Sequence, residues 1–165
     1  MNIGMIALAA LIPLVIGFVW YNPMVFGKAW MGVAGVSEAD RPSGGKMIAT
    51  FLGTYALSFF IAFVLQFLVI HQRHLMSIII DEPGFHDPKS EIGMLYANFM
   101  ERFGQNFRTF KHGVLHGTIA AILFVTPIMA INAMFERKKF KYIAINAGYW
   151  ILCLALMGGV VSAFA

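Results

Sequence analysis

Cysteine occurs once in this 165-residue chain, at position 153 inside an apolar run. A single thiol excludes an intrachain disulfide and any CxxC-type redox or metal motif, which leaves Cys153 a packing residue. Charge is scarce too. Asp, Glu, Lys and Arg make up 12% of the residues, about half the share of an ordinary soluble domain. Four segments, Asn2–Trp20, Met47–Ile70, Gly113–Met134 and Tyr142–Phe164, have none at all. The chain also lacks a nucleophile–base–orienter set, a phosphate-cradling glycine loop and paired carboxylates within the apolar runs, so no catalytic residue is assigned and no enzyme is expected.

About 20 apolar residues at 1.5 Å per residue span the ~30 Å hydrocarbon layer of a bilayer. A soluble bundle would need a polar outer stripe on each helix, and here apolar character runs all the way round. The expected fold class is therefore all-α: a polytopic membrane protein with four transmembrane helices in one compact bundle covering residues 1–165. The first run lacks a basic leader and continues into Trp20-Tyr21-Asn22-Pro23 rather than a small-residue cleavage site, so it reads as a retained helix.

The formal net charge of +4 suggests a nucleic-acid partner only if the basic residues form an exposed patch. Instead Arg137, Lys138, Lys139 and Lys141 crowd one short connection, the placement of a cytoplasmic loop. With Lys28, Arg41 and Lys46, the first and third connections hold seven Lys/Arg; the long second connection, His71–His112, holds five among five acids. That balance places the first and third loops in the cytoplasm, and both termini with loop 2 outside. No nucleic acid is expected.

Loop 2 has two parts. Leu75–Ile80 leads into an acidic turn, Asp81 to Pro88. Beyond Ser90, Ile92, Tyr96, Phe99, Phe103, Phe107 and Phe110 recur at three- and four-residue steps, with polar residues largely between them. This pattern predicts an amphipathic helix over 90–111 capped by Ser90, which either lies on the membrane surface or runs into the third span as one rod.

In lipid, helices associate by close packing, so small residues at four-residue spacing mark contact faces. Gly113, Gly117 and Ala121 form such a stripe in the third run. Ala144 and Gly148, then Ala155, Gly159 and Ala163, form the longest one, in the fourth. Ala49 and Gly53 mark the second run, and Ala10, Pro13 and Gly17 the first. A stripe left uncovered predicts a homo-oligomeric seam or a partner membrane protein, with membrane lipids around it. Asn132 is among the polar residues within the runs, of which Gln66 and Asn146 are the demanding ones. An unpaired amide in hydrocarbon costs several kcal/mol, so they read first as interhelical glue.

All five histidines fall on the loop 2 side. His71 and His74 stand at i, i+3, His112 and His116 at i, i+4, and His86 lies in the acidic turn with Asp81, Glu82 and Asp87. Imidazole and carboxylate ligands on two facing helices are donors of the Zn²⁺ type. The HxxxH spacing alone is weak, and Gly113 stands where a metalloprotease would have its glutamate. No cofactor is expected beyond a possible divalent metal on these residues. Ordinary interfacial histidines bonding headgroups or water are the competing reading.

Gly17-Phe18-Val19-Trp20-Tyr21-Asn22-Pro23 leads to Phe26-Gly27-Lys28-Ala29-Trp30-Met31. Later, Phe135-Glu136-Arg137-Lys138 precedes Ile145-Asn146-Ala147-Gly148-Tyr149-Trp150 and Met157-Gly158-Gly159. On these two stretches the chain resembles the bacterial domain-of-unknown-function 1761 family of small integral membrane proteins. The resemblance implies a four-helix membrane fold and supplies no activity. Physically, Trp20, Tyr21, Pro23, Phe26, Gly27 and Trp30 would form an interfacial shelf with Phe135, Glu136 and Arg137, with Glu136 paired to Lys28, Arg137 or Lys138.

The leading expectation is a non-enzymatic membrane protein, a homo-oligomer or an accessory subunit binding a partner or lipid, with Phe99, Phe103 and Phe107 inserting beside headgroups. A small transporter or channel using Gln66, Asn132 and Asn146 is one alternative, for which a faint likeness between 21–28 and 131–138 hints at helix-pair repeats. A metal-dependent membrane enzyme using the loop 2 histidines is the other.

Overall fold

The computed structural model describes residues 1–165 and is wholly helical. Its seven helices are α1 (Ile3–Trp20), α2 (Gly27–Ala34), α3 (Gly44–Val69), α4 (Gln72–Ile79), α5 (Glu91–Phe103), α6 (Phe110–Phe135) and α7 (Phe140–Phe164). α1, α3, α6 and α7 are long and apolar enough to cross a membrane. Large apolar side chains such as Phe51, Leu57, Phe60, Leu123 and Phe124 point away from the bundle and are exposed. Lipid tails are the solvent that suits such a surface.

α7 is the central helix. Of its apolar window 56% is buried, against 11% for α6 and 17% for α3. Cys153, Leu154, Met157 and Val161 on α7 meet Ile6 and Ala9 of α1, Ala62, Leu65 and Val69 of α3, and Ala121 of α6.

The closest approach is between α6 and α7. A Cβ on Gly113 would run into the Gly158 carbonyl, and one on Gly117 into the Leu154 carbonyl. Both obstacles are backbone, so no rotamer change relieves them. The α7 side of this contact is Leu154, Gly158 and Ser162, one residue off the Ala155–Gly159 stripe. Gly159 instead receives the Phe110 ring, and Gly148 the Trp20 ring. The longest small-residue stripe is thus occupied within one chain.

Two of the long helices are locally irregular, and proline explains both. Pro13 has no N–H to give, and α1 loosens to a turn at Ala10–Leu11. In α6 the stretch Ala121–Val125 widens to a π turn just ahead of Pro127, with the Thr126 N–H reaching Ala121 O.

Loop 2 folds into two short helices, α4 and α5, rather than one amphipathic rod over 90–111. The chain breaks between Gly104 and Thr109. Gly104 is packed too closely on Met100 O for a side chain, Phe107 takes a left-handed φ of 62°, and Thr109 caps a new helix by accepting from His112 N at 3.2 Å. Arg108 pins this break to the end of α7, donating to Ser162 O at 2.7 Å and Ala165 O at 2.5 Å. A guanidinium suits those orphan carbonyls at a helix C-terminus.

Candidate metal centre

His71 sits in the turn between α3 and α4. His112 and His116 lie one turn apart at the start of α6, on one face, because the Thr109 cap fixes where that helix begins. The three rings converge: their ligand nitrogens all lie within 4.8 Å of one another. His71 Nε2 and His112 Nε2 are 2.9 Å apart. The centroid of His116 is 4.9 Å from that of His71 and 4.4 Å from that of His112.

Zn–N bonds of 2.0–2.1 Å in a tetrahedron set ligand nitrogens about 3.3 Å apart. One pair stands at 2.9 Å and the whole set lies within 4.8 Å, so modest side-chain rotations would suit a three-nitrogen site with an open fourth position. The 2.9 Å pair lets one nitrogen donate and the other accept, and it opposes both rings being doubly protonated. Consistently, His71 is held below its ordinary pKa, chiefly by desolvation and then by the neighbouring His116 and His74 rings. Neutral imidazole is the metal-binding form.

The remaining loop 2 residues named from the sequence lie elsewhere. His74 stacks on His71 at 6.4 Å between centroids but contributes no ligand atom to the cluster. His86 packs on Phe85. Asp81, Glu82 and Asp87 stay exposed in the turn, where Gly84 has φ 84° and Asp87 Oδ1 accepts from Lys89 N at 2.9 Å. Ser90 holds that turn closed, donating to Gly84 O at 2.6 Å. No carboxylate belongs to the cluster.

Phe107 is the residue that sequence reasoning left out of the site. Its left-handed backbone turns the ring onto His112, 5.1 Å between centroids. Beside the triad runs a groove of about 310 Å³, lined by His71, Gln72, Leu75, Phe99, Phe103, Asn106 and Phe107. Gln72 builds its floor, donating from Nε2 to Phe103 O at 2.9 Å and Asn106 O at 2.8 Å.

At the opposite end of the bundle the two motif stretches meet. Trp20 Nε1 donates to Ile145 O at 3.1 Å, and Tyr21 Oη donates to Asn146 Oδ1 at 2.9 Å. Asn146 Nδ2 in turn donates to Tyr142 O at 2.7 Å, and Tyr149 Oη to Pro13 O at 2.8 Å. The rings of Trp20–Phe26 and Tyr21–Trp30 are 4.5 and 5.3 Å apart. After Pro23 the chain doubles back so tightly that a Cβ on Gly27 would strike Tyr21 O. Glu136 makes no ion pair, since the one ion pair in the chain is Arg41–Glu38 at 2.9 Å. Lys138 donates to Ala34 O at 2.8 Å, Arg137 has φ 56°, and Phe135 is exposed. This is a structural clasp between α1, α2 and α7.

Of the amides, Asn146 is tied into that clasp and Asn132 is exposed. Gln66 is fully buried with neither amide atom bonded. Neither the groove beside the triad nor the pocket near Gly32 and Lys138 reaches any of the three.

The model of a family described as "Protein of unknown function (DUF1761)" matches residues 5–162. The chain belongs to this family. No curated protein and no solved structure matches it. The DUF1761 match spans the clasp, the groove and the triad alike, and it assigns none of them a role.

Proposed function

We propose that this chain is a polytopic membrane protein that binds a divalent transition metal through His71, His112 and His116. The convergence of three imidazoles, one from the α3–α4 turn and two from the start of α6, carries this reading. Neutral imidazole donors with no hard oxygen ligand favour Zn²⁺, Cu²⁺, Ni²⁺ or Co²⁺ over Mg²⁺ or Ca²⁺. Three protein ligands leave a fourth position for water or a ligand. The distribution of Lys and Arg supports placing this centre on the outer side of a bacterial inner membrane, with loops 1 and 3 in the cytoplasm.

The test is metal content after purification without chelator. About one equivalent is expected for the wild type, as for a well-occupied site. His116→Ala is expected to drop below about a tenth of that, while His74→Ala and His86→Ala keep it. Acid should release the ion, because protons compete for the same nitrogens. The lowered pKa of His71 keeps that ring in the neutral, metal-binding form near neutral pH. A wild-type protein free of transition metal at neutral pH would reject the proposal.

A further inference from the structure

We infer that the metal centre and the groove beside it form one site for a long-chain carboxylate, a fatty acid whose headgroup takes the open coordination position. This rests on the metal-binding reading above and names what the bound ion would hold. His71 belongs to both features: its ring is one of the three ligands and also lines the groove. Three neutral imidazoles leave a divalent ion with its full charge, and no carboxylate in the cluster offsets it. The open position therefore favours an anion.

The groove that shares His71 with the cluster is apolar over four of its seven lining residues. Leu75, Phe99, Phe103 and Phe107 line the groove, and Gln72 has its amide hydrogens committed to Phe103 O and Asn106 O. An anionic head next to an apolar tail is the complement of this pair. The volume of about 310 Å³ is at the low end for small-molecule sites, which run from about 300 to 1,000 Å³. It suits part of a single chain rather than the two chains of a phospholipid. The groove also lies at the ends of α3 and α6, where single-chain amphiphiles partition.

Cobalt gives a direct readout, since ligand exchange at a four-coordinate Co²⁺ ion changes its visible absorption. The full chain in phosphatidylcholine nanodiscs would be loaded with Co²⁺ and titrated with laurate, and separately with dodecanol. Laurate should shift the cobalt bands and dodecanol should not. Phe103→Ala should raise the laurate midpoint about tenfold or more, the effect of losing an aromatic contact that the laurate chain would cover. The cobalt spectrum without laurate should be unchanged. Leu75→Gln supplies the same comparison should the first variant fold poorly. Equal laurate midpoints in the wild type and a folded groove variant would overturn the inference, as would cobalt bands unmoved by laurate. Failure of the wild type to take up cobalt would instead sink the metal reading itself, so the two failures are distinct.

Discussion

Gly113→Ala combined with Gly117→Ala will destabilise the folded bundle severely. Each added methyl meets a backbone carbonyl of α7, at Gly158 and at Leu154, so α6 and α7 must move apart along their closest contact. Overpacking of this kind costs about 1–3 kcal/mol per site, and an immovable obstacle puts both sites at the upper end. Alanine also favours helix over glycine by about 1 kcal/mol, with the opposite sign. The steric term wins. Against a total stability of about 5–15 kcal/mol, the double variant should lose most of its cooperative transition in detergent. Gly53→Ala is the contrast, because nothing lies within 4 Å of a Cβ there. Only the propensity term remains, and thermal melting should show that variant slightly more stable than the wild type. Equal behaviour of the two variants would mean that α6 and α7 do not cross at these glycines.

Adding metal should stabilise the protein by about 4 kcal/mol when the free ion is a thousandfold above its Kd, because only the folded chain brings the three rings together. For a chain of this size that is on the order of 10 °C in Tm. The ion would strengthen the link between the end of α3 and the start of α6, where His71 and His112 already meet. His112→Ala should abolish the gain without lowering the metal-free Tm by much, since that ring is only half-buried. His74→Ala should keep it whole. A metal-induced shift that persists in His112→Ala would point to binding elsewhere on the surface.

Hydropathy made the four long helices legible, because an apolar helix without a polar stripe has few other homes. The clasp was legible in part. Trp20, Tyr21 and Asn146 stood out by residue type, but a carboxamide can bond any neighbour, and only the fold pairs Asn146 with Tyr21. The residue types suggest Glu136 paired to Lys28, Arg137 or Lys138, whereas the reversal around Gly27 brings Ala34 O to Lys138 instead. Of the small residues on α7, Gly148 and Gly159 take rings, while Gly158 takes the backbone of α6. Glycines and alanines lie on two faces of that helix, and the large rings of Trp20 and Phe110 claimed one of them.

Loop 2 was the hardest part. The Phe-rich periodicity continues unbroken past Thr109, yet a threonine cap and a buried Gly104 outweigh it. Those two residues were the available signal. Histidine spacing correctly put His112 and His116 on one face. Their meeting with His71, and the exclusion of His86 and the acids, depend on the Gly84–Ser90 turn and on how α3 crosses α6. Neither is written in local sequence.

X-ray absorption at the zinc edge of the metal-loaded protein tests the central claim most directly. Three imidazole nitrogens at about 2.0–2.1 Å with one oxygen ligand completing a tetrahedron is the expected first shell, falling to at most two imidazoles in His116→Ala loaded with excess zinc. A shell built from oxygens alone, or one that the substitution leaves unaltered, would contradict it.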